Sequence, residues 1–347
     1  MNQEFSKNLR AWYRENGRKL PWRTTKDAYK IWLSEIILQQ TRVNQGLPYY
    51  EKFLENFPSI EGLAVASEDQ ILRLWQGLGY YSRARNLHAA SKQVVEEFGG
   101  AFPDDFIKLR SIKGIGDYTA SAIASFAYDL PHPVVDGNVF RFLSRFFGMD
   151  VPIDSTEGKK AFNALALELM DGKHAAEHNQ AMMEIGSLVC KPISPNCDDC
   201  PFSMACHALI YNKVSDYPVK GKKLPSKKRY FHYFLITDGI HTYIKRRNEK
   251  DIWQGLYELP LVEVFESTDF PPDIPAVAKL HQPKMNQHPF KRKHILSHQE
   301  LHTCFWTVKI DATHAPKGDY LKVNLADLSK YAFPQLIVKF FHHEDLE

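Results

Sequence analysis

Through roughly the first two hundred positions, apolar residues recur at helical spacing between short polar turns. The pattern predicts helices over Ile31–Val43, Ile71–Trp75, Leu87–Phe98 and Ser121–Tyr128, with glycine or proline between segments. Val139–Phe147 continues it, with Phe142, Leu143 and Phe146 on one face, and Ala161–Met170 and Asn179–Val189 extend it. This half of the chain is expected to be all-α.

The period then changes. Tyr230–Ile236, His241–Arg246 and Thr303–Ile310 are rich in aromatic and β-branched residues and predict short strands. Between the two regimes, Lys220, Lys222, Lys223, Lys227, Lys228 and Arg229 crowd a stretch that also holds Gly221 and Pro225, the composition of an exposed linker. A boundary is expected near residue 225, with a separate α+β domain beyond it. Neither part carries a repeat of solenoid length or a low-complexity tract.

Composition narrows the class without fixing a function. The 347 residues suit two or three domains, and 44% hydrophobic with 24% charged residues is a globular balance. A net charge of +3 permits a nucleic-acid partner but does not demand one. The aromatics would suit base stacking, although filling a core accounts for most of them. No apolar run reaches the length of about 18 residues that spans a bilayer. Met1–Arg10 also lacks an apolar stretch of signal-peptide length. A cytoplasmic, reducing location and no membrane partner are therefore expected, so the cysteines are read as thiols.

Four of the five cysteines, Cys190, Cys197, Cys200 and Cys206, follow the spacing C-x6-C-x2-C-x5-C. Thiolates gathered this tightly bind soft metal. Zinc sites more often pair two C-x2-C knuckles, and only one such pair exists here, so a [4Fe–4S] cluster fits better than zinc. Cys304 lies in a strand-like run and is expected in a core. The cysteine spacing, following a helical half and a glycine-rich turn, resembles the helix-hairpin-helix glycosylases related to endonuclease III. That resemblance implies that the four cysteines are structural ligands rather than redox catalysts.

Two glycine turns precede helices. Ile112-Lys113-Gly114-Ile115-Gly116 would bring backbone N–H groups close to a phosphate without reading sequence, and Gln76-Gly77-Leu78-Gly79-Tyr80 is a second such turn, followed by Arg83 and Arg85. Two carboxylates stand out. Asp136 sits where a helix begins, the place of an N-cap worth about 1 kcal/mol. Glu35 has Ile31, Trp32, Leu38 and Gln39 as its helical neighbours, a mainly apolar face. Burial there would raise its pKa and keep it protonated, as a general acid requires. One protonated and one ionised carboxyl is the pair that glycosidic cleavage uses, with Glu35 giving the proton and Asp136 stabilising or attacking the sugar cation.

Five blocks resemble MutY-type adenine DNA glycosylases: Leu20-Pro21-Trp22-Arg23, Trp32 to Thr41, Gly77 to Arg83, Val135-Asp136-Gly137-Asn138 and Asn179 to Glu184. The resemblance implies that Glu35 protonates adenine and Asp136 faces the sugar cation. It places Tyr118 and Asn138 in the catalytic pocket, Arg23 and Glu184 near the flipped adenine, and Gln40 and Tyr80 as wedges in the duplex. Bifunctional relatives carry a lysine nucleophile where this chain has Tyr118, so a monofunctional hydrolase is implied. The run Trp253 to Pro260 resembles the opening of a Nudix box but lacks its acidic metal-binding continuation, and pyrophosphatase activity is not expected. Leu296-Ser297-His298 resembles the family's Phe-Ser-His loop that touches 8-oxoguanine, with leucine departing from the pattern.

The expected architecture is a catalytic region over 1–219, a basic linker over 220–229 and a Nudix-like recognition domain over 230–347. Within the first, a six-helix helix-hairpin-helix domain is expected at about 28–134, with a cluster-bearing helical domain from 1–27 and 135–219. The implied protein is a bacterial monomer acting on double-stranded DNA that contains A·8-oxoguanine or A·G. Two alternatives stay open: an endonuclease III-like pyrimidine-lesion glycosylase, and a non-catalytic iron–sulfur DNA-binding protein.

Overall fold

In a computed structural model, residues 2–221, 225–268, 284–285, 288–310 and 318–346 are described. Lys222 and Lys223 of the expected linker lie outside them. Helices follow one another in the order α1 (Asn2–Asn16), α2 (Ala28–Leu38), α3 (Val43–Asn56), α4 (Ile60–Val65), α5 (Glu68–Leu74), α6 (Ser82–Phe98), α7 (Phe106–Ser111), α8 (Asp117–Tyr128), α9 (Gly137–Phe147), α10 (Thr156–Leu169), α11 (Ala175–Leu188) and α12 (His207–Ile210). Among the described residues, no helix is long and apolar enough to cross a membrane.

Contacts divide the chain into two units. The first comprises Met1–Val65 with Asn86–Lys222, and the second Ala66–Arg85 with Lys223–Glu347. The first unit is helical. Its main core joins Phe5 and Leu9 of α1 to Val139, Phe142 and Leu143 of α9, Phe162 of α10, and Met182 and Ile185 of α11. A smaller cluster gathers Ile31 of α2, Ala122 and Phe126 of α8, Val134 and Ala176. Capping sets where several helices begin. Asp27 accepts the backbone N–H of Tyr29 at 2.9 Å, and Asp105 accepts that of Lys108 at 2.8 Å.

Three expectations need correcting. The helix read as Ile31–Val43 is broken: α2 stops at Leu38, Gln40 takes a left-handed φ of 55°, and the chain re-enters a helix at Val43. Neither glycine nor proline marks the break, because the side chains of Gln39, Gln40 and Thr41 are all helix-compatible. The span 28–134 carries seven helices rather than six, α2 to α8. Ser67 and Gln70 form a capping box that starts α5 separately after the single turn of α4. Finally, Lys227, Lys228 and Arg229 are strand, not linker, since they pair in register with Gln299, Glu300 and Leu301.

The second unit is built on a mixed sheet of β1 (Lys227–Thr237), β2 (His241–Arg246), β3 (Tyr257–Glu258), β4 (Leu261–Val264), β5 (Lys284–Met285), β6 (Phe290–Ile295), β7 (Gln299–Lys309) and β8 (Leu321–Asn324). Its order is β3-β2-β1-β7-β5, with β4 also on β1, β6 on β7 and β8 on β2. β1 and β7 run parallel along their whole length. The final helix, α13 (Gln335–His343), lays Phe340 over Phe305 with ring centres 4.6 Å apart. Cys304 is half-buried against the apolar cluster of Phe234, Ile236, Tyr243, Trp306 and Val308.

The run Ala66–Arg85 is fastened to this sheet by polar contacts. Arg246 pairs with Glu68 at 2.9 Å and Asp69 at 3.1 Å. Arg85 donates to the backbone and side chain of Gln254, Tyr257 donates to Asp69 at 3.4 Å, and the N–H of Phe333 reaches Gln76 at 3.3 Å.

Candidate active site

The first unit holds a cavity of about 640 Å³. Glu35, Tyr118, Asp136, Asn138, Arg23, Glu184, Gln40, Gly114 and Gly116 all line it, so it gathers residues from four separate stretches of sequence. Tyr80, Ser297, His298 and the cysteines do not line it.

Glu35 comes from α2, a helix buried nearly all round: Ile31, Trp32, Leu33, Ile36 and Ile37 are each at most 5% exposed. Glu35 itself is buried and turned into the cavity. Burial pushes its pKa up to about 7, against a hydrogen bond from Tyr118 that pulls it down. Asp136 raises it further, and Arg23 lowers it. The Tyr118 hydroxyl, in the first turn of α8, is itself driven well above the usual range by burial and by the Glu35 charge, and stays protonated.

Asp136 occupies the N-cap of α9. One carboxylate oxygen accepts the N–H groups of Asn138 and Val139, each at 2.9 Å, and the other accepts the Asn138 side-chain amide at 2.6 Å. Burial pulls its pKa upward, whereas these donors and Arg141 favour the ionised form. Arg141, one turn along, donates to Asn138 at 2.8 Å, to the Gly186 carbonyl at 2.5 Å and to the Cys190 carbonyl at 2.7 Å. Gly186 permits this approach, since a Cβ there would lie 2.6 Å from the Asn138 carbonyl oxygen. The cap is thereby tied to the start of the cysteine loop.

A second wall is cationic. Glu184 is fully buried and accepts the Arg18 side chain at 2.7 Å through each oxygen, the Arg18 backbone N–H at 2.9 Å and Arg23 at 2.7 Å. Burial pushes its pKa up, but the two guanidiniums overcome this and hold it at about 2. Arg18 was not singled out from the sequence. Its place two residues before the Leu20 to Arg23 block is the signal that could have found it.

Gly114 and Gly116 shape the turn between α7 and α8. Gly114 has φ of 76°, and a Cβ there would meet that of Asn86 at 2.7 Å. Gly116 starts α8 with no side-chain cap, leaving the first N–H groups of the helix without a side-chain acceptor there.

The four cysteines surround a small apolar void with Phe142, Phe146, Val189, Phe202 and Leu209. Arg145 of α9 donates to the Lys191 carbonyl at 2.7 Å and to the Cys190 sulfur at 3.4 Å. Burial raises the Cys197, Cys200 and Cys206 thiols, the last two against backbone N–H groups directed at the sulfurs, and the neighbouring cysteines raise all three further. Thiols placed so as to repel one another when ionised fit a cationic metal centre.

In the second unit, Ser297 and His298 sit exposed at the turn of the β6–β7 hairpin, which is closed by Leu296 N–H to Gln299 at 2.8 Å. Tyr80, 45% exposed, hydrogen-bonds Ser297 through its hydroxyl. Around the run Trp253 to Pro260, Asp251, Glu258 and Glu263 are engaged by Arg229 and Arg247.

The chain is 38% identical over 260 residues to an adenine DNA glycosylase of Buchnera aphidicola from Acyrthosiphon pisum, covering 74% of this chain and 73% of that protein. It is 37% identical over 307 residues to the one from Schizaphis graminum, covering 86% and 85%. The chain belongs to the adenine DNA glycosylase family. The enzyme is a hydrolase of N-glycosyl bonds in base excision repair. The mouse member is 41% identical over 219 residues, 60% of this chain and 42% of that protein. Residues 33–166 match the HhH-GPD superfamily of base excision DNA repair proteins, and residues 232–343 match a NUDIX domain. Among solved structures, a thermostable thymine-DNA glycosylase aligns with TM-score 0.56 at 26% identity, over 60% of this chain and 97% of that one. An endonuclease III–DNA complex aligns at 0.53 and 17% identity, over 61% and 98%, a likeness of fold.

Proposed function

We propose that this glycosylase hydrolyses adenine from A·8-oxoguanine and A·G mispairs in double-stranded DNA and leaves an abasic site. The observation that carries the reading is the pairing of Glu35 and Asp136 in one cavity under opposite influences. Glu35 has few donors and a pKa near 7, while Asp136 accepts three hydrogen bonds. A flipped adenine enters the cavity, at a cost of a few kcal/mol that a mispair reduces. Glu35 gives its proton to a purine ring nitrogen, the C1′–N bond breaks with its electron pair going to the base, and ionised Asp136 stabilises the sugar cation. Water adds to C1′, and its proton passes to the carboxylate that Glu35 has become.

The remaining residues bind and orient. Arg23 and Arg18, fixed by Glu184, offer N–H donors to the base. Asn138 holds Asp136. Gly114 and Gly116 bring backbone N–H groups to a phosphate, and Gln40 and Tyr80 enter the duplex as wedges. Tyr118 stands where an amine would be needed for a Schiff base, which supports a monofunctional reaction. Ser297 and His298 read the oxidised guanine. Cys190, Cys197, Cys200 and Cys206 would hold a [4Fe–4S] cluster, which would lock the loop that Arg141 and Arg145 grip. Among the described residues, no group of three or more histidine, cysteine or acidic side chains is arranged for a single metal ion, which favours a cluster over zinc.

The test is strand cleavage by alkali after incubation with end-labelled duplexes. Cleavage at adenine opposite 8-oxoguanine and opposite guanine is expected. Release of thymine or an oxidised pyrimidine instead would support the rival glycosylase, and binding without cleavage would support a non-catalytic protein.

A further inference from the structure

The hydrogen bond between the Tyr80 and Ser297 hydroxyls joins two turns 217 positions apart within the second unit. It is set in a built surrounding. Tyr80 has a left-handed φ of 48°, an arrangement a tyrosine keeps only when its neighbours hold it. The Arg83 guanidinium provides that hold, lying 5.0 Å from the Trp75 ring centre and 5.7 Å from that of Tyr80. Arg83 and Trp75 both donate to the Gly79 carbonyl, at 3.3 and 3.0 Å. The ion pairs of Arg246 with Glu68 and Asp69 fasten the same segment to the sheet that carries Ser297.

A hydroxyl has one donor and two acceptor positions, and its hydrogen rotates to suit its partner. The phenol is the more acidic of the two groups, so Tyr80 donates and Ser297 accepts. Ser297 then keeps its own O–H and one lone pair, both restricted in direction. The oxidised base presents a C8 carbonyl acceptor beside an N7–H donor. Guanine presents an N7 acceptor beside a C–H. A serine with one donor and one lone pair fixed side by side matches the first edge and only half of the second.

We infer that the Tyr80 hydroxyl is a specificity-determining group that orients Ser297 towards the oxidised edge, coupling the wedge residue to the lesion reader. This inference rests on the reading of Ser297 as a lesion contact. Tyr80 acts here as a positioning residue, separately from the insertion of its ring.

The experiment is a double-mutant cycle of Tyr80→Phe and Ser297→Ala. Its readout is the ratio of single-turnover excision rates for A·8-oxoguanine over A·G, with thermal melts to confirm folding. Each single variant is expected to lower the ratio about three- to tenfold, the range of one hydrogen bond. The double variant should fall no further than Ser297→Ala alone. A general structural role for the phenol would slow both substrates together and leave the ratio in place, which would overturn the proposal. So would additive losses. A lowered ratio in Ser297→Ala beside an unchanged one in Tyr80→Phe would overturn the coupling but keep the lesion contact. An unchanged ratio in Ser297→Ala would overturn both.

Discussion

The Tyr118 hydroxyl donates a hydrogen bond to the Glu35 carboxylate inside the cavity that both residues line. The bond favours the ionised form of Glu35, while burial favours the neutral form and prevails, leaving the acid at about 7. Because Glu35 must carry a proton to act, single-turnover excision is expected to decline as pH rises through about 7. Tyr118→Phe removes the group that lowers the pKa, so the declining limb should move to higher pH. A pH–rate profile of both proteins checks this, and a limb that moves to lower pH would contradict the assignment of the acid.

Glu35→Gln should abolish adenine release while mispair binding persists, because the amide keeps the shape and loses the proton. Retention of even a tenth of the wild-type single-turnover rate would remove Glu35 as the principal acid. The same substitution should stabilise the fold at alkaline pH. A carboxyl raised from 4.5 to about 7 favours the folded state most below its unfolded pKa, and this contribution is lost as pH rises through 7. At about 1.4 kcal/mol per pKa unit, an ionised Glu35 costs on the order of 3 kcal/mol above that pH. Melting temperatures of the two proteins should therefore diverge at pH 8 and converge near pH 5.

Much of this site was legible because its chemistry opposes its surroundings. An acid among Ile31, Trp32 and Leu38 violates helix patterning, and Asp136 before α9 carries a cap signal that also orients it. The helices α8, α9 and α11 were legible for a simpler reason, since each buries a periodic apolar face. The turn at Gln40 and the reach of Arg18 were not. Gln40 is left-handed without a glycine to announce it, and Arg18 meets Glu184 across 166 positions, a contact no local pattern encodes. For the same reason the sequence did not assign Ala66–Arg85 to the second unit: its ties are ion pairs with Arg246 and Gln254.

Tyr118→Lys should introduce lyase activity. The residue lines the cavity and hydrogen-bonds Glu35, so an amine there would lie near the reacting sugar, and burial would lower its pKa towards a usable nucleophile. Borohydride should trap a covalent protein–DNA adduct in the variant. Equal trapping in the unaltered protein would show that another lysine reaches the site.

Protein purified without oxygen should be yellow-brown, with broad absorption at roughly 400 nm from thiolate-to-iron charge transfer. Cys200→Ser should bleach it and, through Cys190 and Arg141, loosen the cap around Asp136. Colourless protein with one zinc per chain would overturn the cluster.

Deleting residues 226–347 should cost more than lesion discrimination. The carboxylates, the Gly114 turn and the four cysteines all precede the cut. On sequence alone, excision from A·G should survive it. The structure changes that expectation, because Ala66–Arg85 packs with the removed sheet. Truncation would strip Glu68 and Asp69 of Arg246, Arg85 of Gln254, and Tyr80 of Ser297. Partly exposed ion pairs each contribute about 1 kcal/mol or less, but the loss also uncovers Leu72 and Trp75, both fully buried. The turn that carries the Tyr80 wedge should therefore become mobile, and A·G excision should fall along with A·8-oxoguanine excision. Ser297→Ala with His298→Ala provides the contrast, since it removes the readers and keeps the packing. It should lower the A·8-oxoguanine to A·G ratio roughly ten- to a hundredfold, the worth of hydrogen-bond readout of one base. Hydrogen exchange across 66–85 in both variants separates the two effects. Protection there that survives truncation, together with an undiminished A·G rate, would show that the segment holds its shape without the sheet.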